Sequence, residues 1–318
     1  MNSRRRFVAK RKITVVGAGN VGATTAHLAA MENLADIVLI DIVEGLAAGK
    51  ALDLAQAAPL SGYDVKITGT TDWTVAKGSD IVIITSGLPR KPGMSRDDLL
   101  AKNTGIVESV TEKIVKYCPN SFIIVVCNPL DAMVYAAAKV SGFEKQKVMG
   151  MAGELDCARF CYFAATELGV KPRDVNAILM GGHGDDMVPL PRLTNVNGKP
   201  ISSLLSEDKI EALIERTRKG GIEVVNLLGY SAYYAPAAGA VKMAKAILQD
   251  SKRPACCCAY CDAEYSAGGY YVGVPVILGA GGVEKIVELD LNEDEMKNFA
   301  ESLSHVKALA AKVDTILG

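Results

Sequence analysis

"KITVVGAGNVGATTAHLAA", residues 12 to 30, joins an unbroken apolar, β-branched run to an alanine-rich amphipathic stretch through three glycines. Gly17, Gly19 and Gly22 keep the G-x-G-x-x-G spacing, and each answers a separate steric demand. The first permits a tight turn, the second lets backbone approach a ligand, and the third lets a helix pack closely on a strand. Free N–H groups at a helix start, together with the helix dipole, attract phosphate. The loop Gly17, Ala18, Gly19, Asn20, Val21 and Gly22 therefore reads as a cradle for a dinucleotide pyrophosphate. By itself the motif is weak. Asp41 strengthens it by ending the next apolar run nineteen residues beyond Gly22, where a carboxylate accepts hydrogen bonds from a ribose 2′-hydroxyl. The same charge repels a 2′-phosphate, and "DIVEGLAAGK" offers no arginine to offset it, so NAD is expected rather than NADP.

Working outward, "KITVVGAG", "DIVLIDI", "DIVIITSG" and "FIIVVCNP" are continuous apolar runs of the kind buried on both faces of a parallel sheet. Helical patterns such as "VGATTAHLAAMEN" and "EGLAAGKALDLAQAA" separate them, giving β-α-β-α-β. The fold class expected is α/β: a doubly wound parallel (Rossmann) sheet over residues 12–150, after a basic tail over 1–11. Beyond 150 the character changes. A helix "ELDCARFCYFAATELG" leads to a strand ending in "ILMGGHGDD", then a turn-bearing β region around "NVNGKP", long helices over about 207–249, strands near 270–289 and a C-terminal helix. This is expected to form a second, α+β unit over 151–318 that carries substrate and catalysis.

The chain has 318 residues, enough for two lobes and a sizeable core. Hydrophobic residues make up 49%, with a mean hydropathy of +0.19, yet no apolar run reaches the roughly 18 to 20 residues a bilayer requires. With 35 basic against 36 acidic residues, the net charge of -1 argues against nucleic acid or an anionic membrane as the main partner. "MNSRRRFVAKRK" is basic but lacks an apolar secretory core, so a solvated tail and a cytoplasmic protein are expected. Four of the eight cysteines, Cys256, Cys257, Cys258 and Cys261, crowd into "ACCCAYC". Adjacent positions on a strand point to alternating faces, which ill suits one tetrahedral metal site, so these read as compact buried strand residues and no metal is expected.

Of three histidines, His27 and His305 lie on helical patterns and read as packing or surface residues. His183 follows a buried strand between glycines, where its imidazole stays accessible for proton transfer near neutrality. An orienting acid is required. Asp185 and Asp186 lie on the outgoing loop, whereas "GELDCARF" places Asp156 and Arg159 at i, i+3 on one helical face. Apolar neighbours favour a buried pair there over a surface one, and burying two charges requires further partners. "GLPRKPGMSRDD", residues 87–98, sets Arg90 and Arg96 around a Pro-Gly turn. Ser95 reads as the cap of a helix whose first turn holds Arg96, Asp97 and Asp98, leaving Arg90 on the outer part of a lid. "VVCNP" delivers Asn128 to the crevice.

Together "GAGNVG", "LPRKPGMSRDDL", "NPLD", "GELDCARF" and "GGHGDDMVPL" resemble the malate dehydrogenases of the lactate dehydrogenase-like type, over nearly the whole chain from Lys12. That resemblance implies reversible NAD-dependent oxidation of (S)-malate to oxaloacetate, with His183 as proton acceptor and Asp156 orienting it. It implies that Arg159 grips the C1 carboxylate, that Arg96 polarises the C2 oxygen, and that Asn128 bonds substrate and the nicotinamide side. Asn103, Val126, Cys127 and Asn128 fall where the family contacts NAD. Arg90 would pair with the second carboxylate of a dicarboxylic substrate; members acting on lactate carry an uncharged residue there. Ala232 matches the pocket wall. A homo-oligomer is implied, a tetramer favoured over a dimer. Two departures stand out: the cysteine- and glycine-rich "ACCCAYCDAEYSAGG", which leaves a metal or redox role open, and the tyrosine in "LLGYSAYY", which bears on pocket access. The alternatives are a lactate or broader 2-hydroxyacid dehydrogenase and a non-catalytic NAD-binding regulator.

Overall fold

The four apolar runs of the first half become parallel strands β1 (Lys12–Val16), β2 (Asp36–Ile40), β4 (Ile81–Ile84) and β5 (Phe122–Val125), and β3 (Ile67–Thr70) and β6 (Val148–Gly150) join them. The computed structural model describes residues 11–89 and 93–318. Strand order is β3-β2-β1-β4-β5-β6, so the order reverses between β1 and β4 and a crevice opens beyond their carboxyl ends. Helices α1 (Asn20–Met31), α2 (Leu46–Ser61), α3 (Arg96–Tyr117) and α4 (Leu130–Ser141) cover the sheet. Alternate residues serve opposite faces. Ile13, Val15, Ile37, Leu39, Ile81 and Ile83 enter one core with alanines of α1. Val16, Val38, Ile40, Val82 and Ile84 enter another, with Leu100 and Val107 of α3 and Met133 of α4. Burial on both faces is why the runs carry no polar alternation. The exception, Thr14, is fully buried and shares a 2.7 Å hydrogen bond with the Ser79 hydroxyl.

β3 and β6 are absent from the sequence reading. "ITGT" is short and interrupted by glycine, and β6 has three residues, so their pairing with neighbours, rather than any pattern of their own, makes them strands.

The second half contains α5 (Gly153–Leu168), β7 (Val175–Asn176), β8 (Leu179–Gly181), β9 (Met187–Pro189), β10 (Asn195–Val196), β11 (Lys199–Pro200), α6 (Glu207–Leu228), α7 (Tyr234–Leu248), β12 (Arg253–Cys261), β13 (Tyr270–Gly279), β14 (Gly282–Ile286) and α8 (Glu293–Leu317). The main sheet does not stop near residue 150. It continues antiparallel through β12, β13, β8 and β9, joined to β6 by the pairing of Gly150 with Cys258. A Cβ on Gly150 would come within 2.5 Å of Val134 and 3.1 Å of the Cys258 Cβ, so this junction requires glycine. The cysteines of β12 are buried strand residues, with Cys257 packed in one core and Cys258 in the other.

Candidate active site

The glycines of the first loop divide their work as their spacing predicts. Gly17 has φ +101°, and a Cβ there would meet Ser86 N and Thr85 Oγ1 at 2.8 Å. A Cβ on Gly22 would fall 1.7 Å from the Gly17 carbonyl oxygen, which is how closely α1 sits on the turn. A Cβ on Gly19 would meet nothing within 4 Å, so that side is open to a ligand. Gly19 is also the N-cap of α1 and provides no side-chain cap, which leaves the first N–H groups of the helix to an incoming anion. Asp41 ties the loop together: Oδ2 accepts Ala18 N–H at 2.6 Å and Oδ1 accepts Val43 N–H at 2.9 Å. Each oxygen keeps a lone pair for a ribose hydroxyl. These residues fit a dinucleotide.

Across the crevice, Gly87, Leu88, Val126, Cys127 and Asn128 line one wall of a cavity of about 380 Å³. Asn103 does not reach it. It is fully buried, its Oδ1 accepts Leu88 N–H at 2.8 Å, and its Nδ2 donates to Leu88 O at 3.1 Å and Asn128 O at 2.6 Å. Its amide laces together the two loops that form the wall, Leu88 on one side and Asn128 on the other.

The opposite wall carries the titratable groups. β8 leads into Gly182 and His183, and α8 fixes that loop through Ser302, whose hydroxyl accepts Gly182 N–H at 2.8 Å and donates to Asp186 O at 2.6 Å. Asp156, in the first turn of α5, meets His183 Nδ1 at 2.9 Å through Oδ2. Arg159 approaches the other oxygen at 3.4 Å. Asp156 is 4% exposed, and Arg159 and His183 are 16% each, so a buried carboxylate holds two half-buried partners rather than a surface ion pair. Burial disfavours the imidazolium, but the charge and hydrogen bond of Asp156 outweigh it, with help from Asp131 and opposition from Arg159. The His183 pKa is held above its ordinary 6.5. Burial lowers that of Arg159 while Asp156 supports it, and a guanidinium so placed stays charged.

Two further features were missed in the sequence. Gly220 and Gly221 of α6 face the Arg159 side chain, where a Cβ would come within 3.1 Å of its Cδ and 3.6 Å of its Nη2. Arg218 of the same helix lines the cavity beside His183. The consecutive glycines of "RKGG" were the available clue.

Arg96 begins α3, where Ser95 and Asp98 form the predicted capping box. Its guanidinium meets Asp185 at 3.4 Å, both side chains about 80% exposed, and lies outside the cavity lining. The structure thus does not bring Arg96 to His183. Arg90 lies outside the described residues. Ser231 and Ala232 line the cavity, whereas Tyr230 is 48% exposed and stacks on Tyr233 at a centroid distance of 6.1 Å, so the unexpected tyrosine leaves the pocket wall alone. His305 pairs at the surface with Asp186 at 2.7 Å. A separate cavity of about 460 Å³ is walled by Cys157, Cys161 and Cys256 and shares no residue with the first. Among the described residues no group of three His, Cys, Asp or Glu side chains is arranged to hold a metal ion.

Comparison with known proteins covers both halves. Residues 11–150 match the family model of the lactate/malate dehydrogenase NAD binding domain, and residues 153–316 that of the lactate/malate dehydrogenase alpha/beta C-terminal domain. A malate dehydrogenase of Rhodopirellula baltica is 56% identical over 97% of this chain and 99% of its own length. The solved apo malate dehydrogenase of Picrophilus torridus superimposes with a TM-score of 0.95 at 48% identity, covering 97% and 99% of the two chains. A lactate dehydrogenase of Cryptosporidium parvum, solved with lactic acid and nicotinamide adenine dinucleotide, gives 0.94 at 44% identity, covering 96% and 99%. Fold likeness therefore extends to both substrates, and the choice between them rests on individual residues.

Proposed function

The chain belongs to the lactate/malate dehydrogenase family, and we propose that it catalyses the reversible NAD-dependent oxidation of (S)-malate to oxaloacetate. The observation that carries the chemistry is His183 held by Asp156 at 2.9 Å, with Arg159 in the same buried cluster. With the Nδ1 proton shared toward Asp156, Nε2 keeps its lone pair for the C2 hydroxyl proton of malate, and Asp156 stabilises the imidazolium that forms. Bound NAD supplies the hydride acceptor. Gly17 to Gly22 hold its pyrophosphate, Asp41 its ribose, and Val126, Cys127 and Asn128 its nicotinamide end, where Asn128 also bonds substrate. Arg159 binds the C1 carboxylate as a bidentate fork. Arg96 exchanges Asp185 for the C2 oxygen as the lid over residues 87–98 closes, and developing charge on that oxygen meets a fixed cation in a site emptied of water. Arg90 takes the second carboxylate. A monocarboxylate would leave that cation unpaired at a cost of about 2 to 5 kcal/mol, which disfavours pyruvate by orders of magnitude.

Residues 12–150 form the cofactor unit and 151–318 the substrate unit. We place the protein in the cytoplasm, in the tricarboxylic acid cycle, as a homotetramer with a dimer as the alternative. Exposed Ile222, Leu227 and Leu228 on α6 and Tyr234 on α7 support self-association. Initial rates with oxaloacetate and pyruvate, each with NADH and NADPH, test the assignment. Oxaloacetate with NADH is expected to be fastest by at least about 100-fold, and Arg90→Gln to narrow the gap toward pyruvate. Equal rates on the two keto acids would favour a broader 2-hydroxyacid dehydrogenase, and absence of turnover a binding protein.

A further inference from the structure

His183 stands against a second carboxyl that the reaction above leaves unused. Asp131 lies in the first turn of α4, in "NPLD", immediately beyond the strand and turn that deliver Asn128, and is 5% exposed. Its Oδ2 accepts the main-chain N–H of His183 at 2.9 Å and lies 3.5 Å from where a Cβ on Gly182 would stand. The carboxyl thus bears on both residues of the turn that presents the imidazole. Its Oδ1 has no hydrogen-bond partner among the described residues. The thiol of Cys258 on β12, from the cysteine-rich segment that departs from the family pattern, interacts with this carboxyl. A buried acid with an idle oxygen is costly to keep unless its charge or its acceptor is used.

We propose that Asp131 is a positioning residue for His183, fixing the main chain of its loop and setting, together with Asp156, the negative field in which the imidazole gains and loses a proton. The inference rests on His183 being the proton acceptor. The two acids act through different atoms. Asp156 holds ring Nδ1, whereas Asp131 holds the backbone, so charge can be removed at 131 without releasing the ring. The charged groups bearing on His183 are Asp156 and Arg159 from α5 and Asp131 from α4. Those bearing on Asp131 are His183, Asp156 and Cys258; burial drives its pKa up, and the His183 N–H bond, the His183 charge and the thiol pull it back.

The sign follows from charge. An anionic Asp131 favours the imidazolium, so losing it lowers the pH at which His183 titrates. Malate oxidation needs neutral His183 and oxaloacetate reduction the protonated form, so both limbs must move together toward acid. In Asp131→Asn, which keeps an acceptor for the His183 N–H, the acid limb of kcat/KM for malate and the alkaline limb for oxaloacetate are each expected to shift down by about one unit. NADH binding, measured by fluorescence, should be unchanged. Cys258→Ala removes the thiol that helps hold Asp131 ionised and should give a smaller shift in the same direction, which Cys258→Ser restores; this pair keeps the test available if Asp131→Asn does not fold. Profiles that stay in place while thermal stability falls would overturn the proposal and leave Asp131 a packing residue. Failure of the underlying reading would look different: His183→Gln would then retain turnover, whatever the Asp131 profile does.

Discussion

At the scale of single residues, the buried triangle of His183, Asp156 and Arg159 shows one acid serving two cations. Asp156 has two oxygens, one directed at imidazole Nδ1 and the other at the guanidinium, and almost no solvent to screen either. Its charge therefore decides both the tautomer and the protonation range of His183. Because His183 is held above 6.5, malate oxidation should rise with pH through a midpoint above that value, and oxaloacetate reduction should fall through the same region. Asp156→Asn turns an amide donor toward Nδ1 or leaves it without an acceptor, which puts the proton on Nε2 where the base is needed. Turnover is expected to fall by about 10²- to 10⁴-fold, with the midpoint displaced toward acid. Retention of wild-type kcat by Asp156→Asn would show that the carboxylate only packs. Residue chemistry of this kind was partly legible. The type and local setting of His183, the i, i+3 spacing of Asp156 and Arg159 and, through the family resemblance, the pairing of Asp156 with His183 were visible, but not the contact of Asp131 with a backbone 52 positions away.

At the scale of elements, the helix starts that border the crevice have short-range signals. The capping box of α3 needs only Ser95 and Asp98, three residues apart, and the turn before α1 needs only its glycines. Variants at Gly19 and Gly22 should separate cofactor binding from folding. Gly19→Ala adds a Cβ where the free protein has nothing within 4 Å, at a φ of -67° that alanine accepts, so thermal stability should hold while NADH affinity falls about tenfold or more. Gly22→Ala drives its Cβ to 1.7 Å from a carbonyl oxygen, so both stability and NADH affinity should fall, the former by about 1 to 3 kcal/mol. Calorimetry with fluorescence titration distinguishes them; equal stability losses would refute the division of roles. Asn103 marks the limit of such reading. Its position on α3 is plain from the pattern, but whether its amide faces a ligand or two loops depends on strand ends that sequence proximity does not reveal.

At the scale of the whole molecule, one sheet spans both halves, and the strand before His183 is set against β13 by two glycines. A Cβ on Gly273 would lie 2.2 Å from the Gly181 carbonyl oxygen, so Gly273→Ala must push β8 and its histidine outward. The expected result is a Tm lower by about 2 to 8 °C and reduced kcat with NADH affinity kept, since the glycine loop lies in the other half. Unchanged kcat would mean that the loop is positioned by α8 and Asp131 alone. The amino-acid sequence by itself determined the parallel α/β sheet, the glycine turn before α1, the cap of α3 and the buried cysteine strand. Those follow from steric and hydrogen-bonding rules acting within a few residues. Only the tertiary structure decided that the sheet runs on past residue 150, that Asn103 is interior, that Arg96 rests on Asp185, and that Asp131 meets the histidine loop. Each of these depends on which side chains a long loop closure brings within about 3 Å, and local pattern contains no term for that distance.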